Sequence, residues 1–253
     1  MLTAAFWGLI QGLTEFLPIS SSGHLVLVPA LLNMEEPDLA TSAVLHVGTL
    51  AAVIWFYRKD LLRMMKFRTD PEARRIIWLL VLGTIPAAVI GIAFDRKIEI
   101  IFSEPWIAAM LLIVTGMILF LGLLAPIGIR RLEDGHSGDA WVVGMAQALA
   151  LLPGISRSGM TMTAAIAQGF DRIQAARYAF LLAVPAIGGV GALKGLDLID
   201  QGGFEPELLV GVLTAAVSGY FAISFLVRLL ARAGLAPFAV YCLVFGTVAW
   251  VLV

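Results

Sequence analysis

Apolar residues fill six stretches of the chain that are long enough to cross a lipid bilayer as helices. These stretches are 40–57, 74–94, 106–124, 174–193, 207–229 and 236–253. A helix rises about 1.5 Å per residue and the hydrocarbon core is about 30 Å thick, so a span needs about 20 apolar residues. Charged or turn residues separate the stretches. The pattern therefore predicts six transmembrane helices.

Four further apolar segments are too short to span, namely 4–17, 22–32, 140–152 and 158–168. A helix as long as the first would cover only about 21 Å. Proline, serine and glycine interrupt each pair, at residues 18–24 (the first break) and 153–159 (the second break). Irregular backbone at membrane depth survives only where protein or water covers it. We therefore expect two re-entrant helical hairpins, over 4–32 and 140–168, with their breaks buried in the bundle.

The two hairpins are copies of one another. GLIQGLTEFLPISSSG at 8–23 recurs 136 positions later, without a gap, as GMAQALALLPGISRSG at 144–159. Each half contains one hairpin and three spans, and an odd number of spans places the second half upside down. The expected fold is a single all-α integral membrane domain over 1–253. It is an inverted-topology repeat of about 1–125 and 139–253, with the site at the repeat interface.

Composition and charge agree with this arrangement and orient it. The chain is 60% hydrophobic and 14% charged, whereas a soluble domain has about 25% charged residues. The loops at 58–75 and 130–139 carry most of the loop arginines and should be cytoplasmic. The loops at 33–39 and 195–206 are acidic or neutral and should face outward. The first hairpin then enters from outside and the second from inside.

Glu15 is the residue of the first hairpin whose burial in the membrane costs the most free energy. An ionisable group at this depth marks a functional site by default. Gln11 lies one helical turn earlier on the same face. Together they can offer an amide oxygen and a carboxylate to Mg²⁺ or Ca²⁺, which prefer such ligands. Two side chains are a weak metal signal, since substrate phosphates and water would have to complete the shell.

The first break supplies hydroxyl groups and a histidine. Ser20, Ser21, Ser22 and Gly23 begin a new half-helix, and a helix N-terminus is a ready site for an anion. His24 follows Ser21 by three residues, close enough to act on it or on a bound phosphate as acid, base or nucleophile. The alternative interpretation is a capping serine cluster with an incidental histidine.

The second break contains Arg157, and an arginine in mid-membrane needs an anionic partner. Its planar guanidinium suits phosphate or carboxylate. A purely structural pair with Glu15 is one interpretation. Phosphate is the preferred ligand, because the neighbouring residues offer more hydrogen-bond donors than one carboxylate requires. These neighbours are Ser156, Ser158, Thr161 and the N-terminus of a half-helix. His46 is interpreted as packed or interfacial, His136 as solvated and Arg177 as reaching the interface.

QGLTEFLPISSSGH at 11–24 and LLPGISRSGMT at 151–161 closely resemble the two signature regions of the bacterial undecaprenyl-diphosphatase family, UppP or BacA, the bacitracin-resistance proteins. The resemblance covers the whole chain. It implies an inner-membrane enzyme that hydrolyses undecaprenyl diphosphate to undecaprenyl phosphate and inorganic phosphate. That activity recycles the carrier for peptidoglycan synthesis. The resemblance also implies six spans, two hairpins in inverted repeats, a site at the periplasmic face and a divalent cation, Mg²⁺ or Ca²⁺.

Carried over by motif, the catalytic candidates are Glu15, Ser21, His24 and Arg157, with Glu15 also a candidate metal ligand. The expected substrate-binding residues are Gln11, Ser20, Ser22, Gly23, Gly154, Ser156, Ser158 and Thr161. Many family members have glutamate where this chain has Gln11, which weakens the case for direct metal coordination. The expected partners are a polyprenyl diphosphate and membrane lipids. No nucleic acid is expected, and a homodimer is left open.

Several alternatives remain at this point. The nucleophile is Ser21, a water that Ser21 positions, or His24. An acid-phosphatase-like membrane enzyme would share Ser22-Gly23-His24 and Ser156-Arg157, but it needs a histidine at the position of Thr163. A lipid-phosphate transporter or flippase would share the inverted repeat and the broken helices.

Overall fold

The computed structural model describes the backbone of residues 1–37, 39–102, 104–200 and 206–253. It describes their side chains except at 39–40, 95–102, 190–200 and 206. Helices make up most of this described part. They are α1 (Leu2–Phe16), α2 (Ser21–Leu32), α3 (Leu39–Phe56), α4 (Arg58–Met64), α5 (Pro71–Phe102), α6 (Pro105–Gly122), α7 (Ser137–Leu149), α8 (Arg157–Ala167), α9 (Arg172–Asp200), α10 (Pro206–Ala233) and α11 (Ala236–Leu252).

The two predicted breaks are where helices end and begin. α1 ends at Phe16 because Leu17, which precedes Pro18, adopts an extended backbone with φ −67° and ψ 142°. α2 begins at Ser21, and the Ser20 hydroxyl accepts a hydrogen bond from the Gly23 N–H. In the second half, α7 ends at Leu149 and α8 begins at Arg157. The halves of both predicted hairpins are therefore short helices.

The order of helices in the second half follows that of the first. α7, α8, α9, α10 and α11 correspond to α1, α2, α3, α5 and α6, while the short α4 has no counterpart among the described residues. Helices of one half pack on helices of the other in matching pairs, since α1 lies on α10, α7 lies on α5, and α6 lies on α11. Each half thus supports the short helices of the other.

Glycines allow these helices to approach closely. A Cβ at Gly8 of α1 would clash with the Gly211 carbonyl of α10, and one at Gly144 of α7 would lie 2.8 Å from the Gly83 oxygen of α5. Gly8 and Gly144 occupy the same position in the two copies of the repeat. Their shared close packing fixes how deeply each short helix enters the bundle.

Three helices of the described chain are long and apolar enough to cross a membrane: Pro71–Phe94, Pro105–Gly122 and Glu207–Ala233. They coincide with three of the six predicted spans. The predicted spans at 40–57 and 236–253 fall on shorter apolar helices, Thr41–Phe56 and Ala236–Leu252. The span predicted at 174–193 lies within α9, where side chains are described only to residue 189. Residues 201–205 of the predicted outer loop lie outside the described residues.

Large apolar side chains cover the outer surface of the bundle, as expected of a protein that faces lipid. Those with roughly half or more of their surface exposed include Trp55, Trp78, Phe120, Phe221 and Trp250. The core is built mainly from leucine, alanine and a few aromatic residues such as Phe16, Tyr178 and Phe180. The hydrophobic pattern along the chain therefore reflects both a buried and an outer apolar surface.

The two predicted cytoplasmic loops meet at one end of the molecule through ion pairs. Arg177 donates to Asp60 (2.5 Å) and to Glu133 (2.9 Å), and Arg63 pairs with Asp70 (2.6 Å). Arg177 is only 15% exposed in its side chain, because the carboxylates of Asp60 and Glu133 hold its guanidinium. Burial disfavours ionisation of Glu133, but the hydrogen bonds and the positive charges around it, those of Arg177 above all, together outweigh burial and lower the pKa of that carboxyl. This network ties α4, α9 and the 130–139 loop together.

Candidate active site

The carboxylate of Glu15 is the centre at which the two breaks meet. Its Oε1 accepts a hydrogen bond from Arg157 Nη2 in an ion pair that joins α1 to α8. Its Oε2 accepts from Ser21 Oγ at 2.5 Å and from Gln11 Nε2 at 3.0 Å. Glu15 itself is only 7% exposed. Four residues that the sequence predicted to lie together are thus joined through one carboxylate.

Further contacts hold the two breaks against each other. Ser158 Oγ donates to the Leu17 carbonyl at 3.1 Å, which links the second break to the chain just before the first. A Cβ placed on Gly23 would lie 3.1 Å from the Gly154 Cα. The glycines predicted to bind substrate therefore allow the two backbones to touch at the site.

Both short helices that begin at the site are capped in the same way. Gly23 N donates to Ser20 Oγ at 3.2 Å, and Gly159 N donates to Ser156 Oγ at 3.1 Å. In each break a further serine hydroxyl lies 3.3 Å from the capping hydroxyl, that of Ser22 or Ser158. Two capped helix N-termini at one site favour the binding of an anion.

The hydroxyl of Thr161, an expected substrate ligand, is bound within its own helix. Its hydroxyl donates to the carbonyls of Arg157 (2.8 Å) and Ser158 (3.2 Å) within α8, and the residue is fully buried. These bonds stiffen the first turn of α8, which carries the arginine. Its role as a direct substrate ligand remains a prediction.

His24 is directed toward α11 rather than toward Ser21. Its Nδ1 lies 2.8 Å from the Ser20 carbonyl oxygen, and its Nε2 lies 2.7 Å from the Tyr241 hydroxyl. Both ring nitrogens are therefore occupied, and the Ser21 hydroxyl is bound by Glu15 instead. The expected contact between His24 and Ser21 is not among those of the described residues.

His46 joins the site, although its sequence context suggested a packed or interfacial residue. Its Nε2 lies 3.6 Å from Glu15 Oε2, and its Nδ1 contacts the Ser42 carbonyl at 2.7 Å. α3 reaches this position because Gly48 packs on the Val212 carbonyl of α10, the helix that also supports α1. No local pattern in the sequence signals that contact. His46 and Tyr241 are the site residues that sequence reasoning missed.

Two residues at the site, Gln11 and Glu15, offer hard oxygens to a cation. Gln11 Oε1 is buried without a hydrogen-bond partner, one helical turn from the Glu15 carboxylate. In the described part of the chain, no three His, Cys, Asp or Glu side chains are grouped to hold a metal ion. The donor set therefore fits a divalent cation only if substrate oxygens supply the other ligands.

Comparison with known proteins gives the same picture at the level of the family. Residues 4–248 match the family described as Bacitracin resistance protein BacA. The chain belongs to the BacA family. An undecaprenyl-diphosphatase of Trichlorobacter lovleyi is 42% identical over 95% of this chain and 93% of its own. The undecaprenyl-diphosphatase of Desulforudis audaxviator is 40% identical over 94% of this chain and 92% of its own.

The undecaprenyl-diphosphatase of Methanosphaera stadtmanae is 37% identical over 100% of this chain and 98% of its own. BacA family membership and the three long apolar helices identify an integral membrane protein. Because the match runs through both breaks, the joined Glu15, Ser21 and Arg157 lie within the matched residues.

Proposed function

We propose that this protein hydrolyses undecaprenyl diphosphate to undecaprenyl phosphate and inorganic phosphate. The observation that carries the proposal is the hydrogen-bonded group of Ser21, Glu15 and Arg157 at the junction of two helix N-termini. It combines a nucleophile, a base and a phosphate-binding cation in one place. Relatives over most of the chain bear the name undecaprenyl-diphosphatase.

Arg157 is the group that first meets the diphosphate. Without substrate its charge is neutralised by Glu15. A diphosphate carries more charge than a carboxylate and offers several oxygens, so it competes for the guanidinium and releases Glu15. Arg157 and the N-termini of α2 and α8 then stabilise the negative charge that develops on the transferring phosphoryl group.

Ser21 is the nucleophile that the contacts favour. Its hydroxyl already donates to Glu15 Oε2 at 2.5 Å. As the Ser21 oxygen bonds to the terminal phosphorus, its proton passes to Glu15. The bond from that phosphorus to the bridging oxygen breaks, and undecaprenyl phosphate leaves with the electron pair. Water then cleaves the phosphoserine, with His24 and Glu15 sharing the proton transfers, which releases inorganic phosphate and restores Ser21. Direct attack by water and attack by His24 are the alternatives that the Ser21 variant described below distinguishes.

Gln11 Oε1 and Glu15 would hold a divalent cation that binds together with the diphosphate. When bound, Mg²⁺ or Ca²⁺ supplies neutralisation of the diphosphate charge. The chain's own contribution is to hold these two oxygens on one face of α1, one turn apart. Gln11 keeps this orientation by donating its Nε2 to Glu15.

In the membrane, the chain is a single domain of six spans and two re-entrant hairpins, arranged as inverted repeats of about 1–125 and 139–253. Short helices α1, α2, α7 and α8, each of 15 residues or fewer, support this arrangement. The ion pairs among Asp60, Glu133 and Arg177 support a common, cytoplasmic side for the basic loops.

The site then opens to the periplasmic side of the inner membrane, and the isoprenoid tail remains in lipid. The partly exposed Ser21, Ser22 and Arg157 form the accessible edge of the site, whereas Glu15 and Gln11 lie beneath it. Turnover at this face returns the carrier lipid to peptidoglycan synthesis and confers resistance to bacitracin.

Phosphate release by the purified protein tests the proposal. The protein in detergent, given a polyprenyl diphosphate and Mg²⁺ or Ca²⁺, should release inorganic phosphate, and the Arg157→Ala variant should not. If the folded wild-type protein releases none, the enzymatic function fails. The repeated helix order favours a lipid-phosphate flippase as the second candidate. Movement of labelled undecaprenyl phosphate across the membrane of vesicles that contain the protein, without phosphate release, would favour the flippase.

A further inference from the structure

The last helix of the second half borders the first break through three contacts. Tyr241 and Phe245 of α11 stack on the His24 ring, with centroids 5.7 and 5.0 Å away and planes within 15° of parallel. Cys242 Sγ lies 3.5 Å from the Pro18 carbonyl. α11 is itself held by close packing on α6, where a Cβ at Gly246 would lie 2.9 Å from Ile113. The wall beside His24 is therefore closely packed and comes from the other half of the chain.

The hydrogen bonds of His24 define its tautomer. The Ser20 carbonyl oxygen can only accept, so His24 Nδ1, 2.8 Å away, carries a proton. In the neutral imidazole Nε2 is then the acceptor, and the Tyr241 hydroxyl at 2.7 Å is its donor. His24 is only 4% exposed, so water cannot readily replace either partner. Tyr241 is 40% exposed, which leaves the outer face of its ring toward the surroundings of the bundle.

We infer that Tyr241 is a positioning residue that acts through His24. Its hydroxyl fixes the orientation and tautomer of the imidazole, and its ring, with that of Phe245, sets the plane. The inference rests on the proposed phosphatase function, in which His24 is a catalytic candidate. It assigns a part of the site to α11, far in sequence from both signature motifs.

The Tyr241→Phe variant removes the hydroxyl and keeps the stacked ring. Nε2 of His24 then loses its donor in a buried place, and the imidazole is no longer held in one orientation. We expect kcat for phosphate release to fall about tenfold, the effect of one hydrogen bond, with KM changed less than about twofold. Tyr220→Phe is the matched control. Tyr220 lies on α10 and its ring contacts Phe56 and Phe221, so this variant should behave as wild type.

Nitrogen NMR of the histidine side chains supplies a readout that does not depend on activity. The chain has three histidines, so His24 can be assigned by comparison with a His24→Gln sample. In the wild type, we expect the tautomer with the proton on Nδ1 and a hydrogen-bonded Nε2. Tyr241→Phe should shift the Nε2 resonance of His24, and Tyr220→Phe should not.

The outcomes separate the inference from the proposed function. A wild type without phosphatase activity overturns the function, while the NMR result still decides whether Tyr241 holds His24. An unshifted Nε2 resonance, or an unchanged kcat in folded Tyr241→Phe, overturns the inference. Should that variant fail to fold, the wild-type spectrum alone decides, because a proton on Nε2 without one on Nδ1 contradicts the assigned contacts.

Discussion

In both helix breaks a serine hydroxyl accepts from the N–H of the glycine three residues later, Ser20 from Gly23 and Ser156 from Gly159. Beyond this shared cap the breaks differ. The first contributes Ser21 to the Glu15 carboxylate, and the second contributes Arg157. The comparison teaches that the repeated residues build the frame, whereas the residues that differ between the copies meet at one carboxylate.

The breaks also reach their shapes by different means. In the first, Ser20 adopts a left-handed backbone with φ 68°, and in the second Gly154 does so with φ 92°. The second break is braced by Thr115 of α6, whose Oγ1 donates to the Gly154 carbonyl at 2.8 Å and accepts from Ser156 N at 3.1 Å. The first is braced by α11 instead. Each break is thus supported by the last helix of the other half.

The largest expected effect comes from removing the charge that the second break contributes. Arg157→Ala should lower kcat/KM for phosphate release by about a thousandfold, because a preorganised donor to the transition state is lost. Arg157→Lys should keep only part of the wild-type kcat/KM, since an ammonium group lacks the planar, two-pronged geometry of a guanidinium. Near-normal turnover in a folded Arg157→Ala protein would leave the second break with a structural role only.

The first break should be nearly as sensitive at Ser21. Ser21→Ala should lower kcat by at least about a hundredfold if the hydroxyl is the nucleophile. Ser224→Ala is the control, since that hydroxyl only bonds the Tyr220 carbonyl within α10. Phosphate release measured in parallel compares them. Substantial residual activity in Ser21→Ala would assign the attack to water or His24.

Backbone substitutions should separate the two breaks in stability. Gly154→Ala places a Cβ at positive φ and against the Ala108 carbonyl, and it should lower the free energy of unfolding by about 2 kcal/mol or more. Ser20→Gly relieves a positive φ while weakening a cap, so its effect should stay below about 1 kcal/mol. Thermal unfolding in detergent measures both. Equal losses would mean that the breaks are constrained alike.

The smallest expected effect is on the requirement for Mg²⁺, and it distinguishes the two glutamines that occupy the same position in the two copies of the repeat. Gln11 and Gln147 both have a buried amide oxygen without a partner, but only Gln11 contacts Glu15. Gln11→Ala should raise the Mg²⁺ concentration needed for half-maximal activity by about tenfold, the effect of one lost contact. Gln147→Ala, which loses a bond to the Gly83 carbonyl, should leave that concentration unchanged. An identical metal requirement in all three proteins would exclude Gln11 as a cation ligand.

The sequence predicted the breaks well because proline, glycine and capping serines act locally. It also predicted that Glu15, Ser21 and Arg157 lie together, since charges buried in a membrane need partners. It could not predict the partner of His24, because Tyr241 lies 217 residues away within an ordinary apolar helix. Likewise, His46 reaches Glu15 only through the packing of α3 and α1 on α10. Contacts set by helix packing leave no local pattern.

A double-mutant cycle between Glu15 and Arg157 tests most directly whether the two breaks form one site. Phosphate release would be measured for wild type, Glu15→Gln, Arg157→Lys and the double variant. If the two residues act as one unit, the double variant should be within about threefold of the weaker single variant, because such effects are not additive. A loss equal to the product of the two single losses would show that the breaks act independently, and would contradict the account.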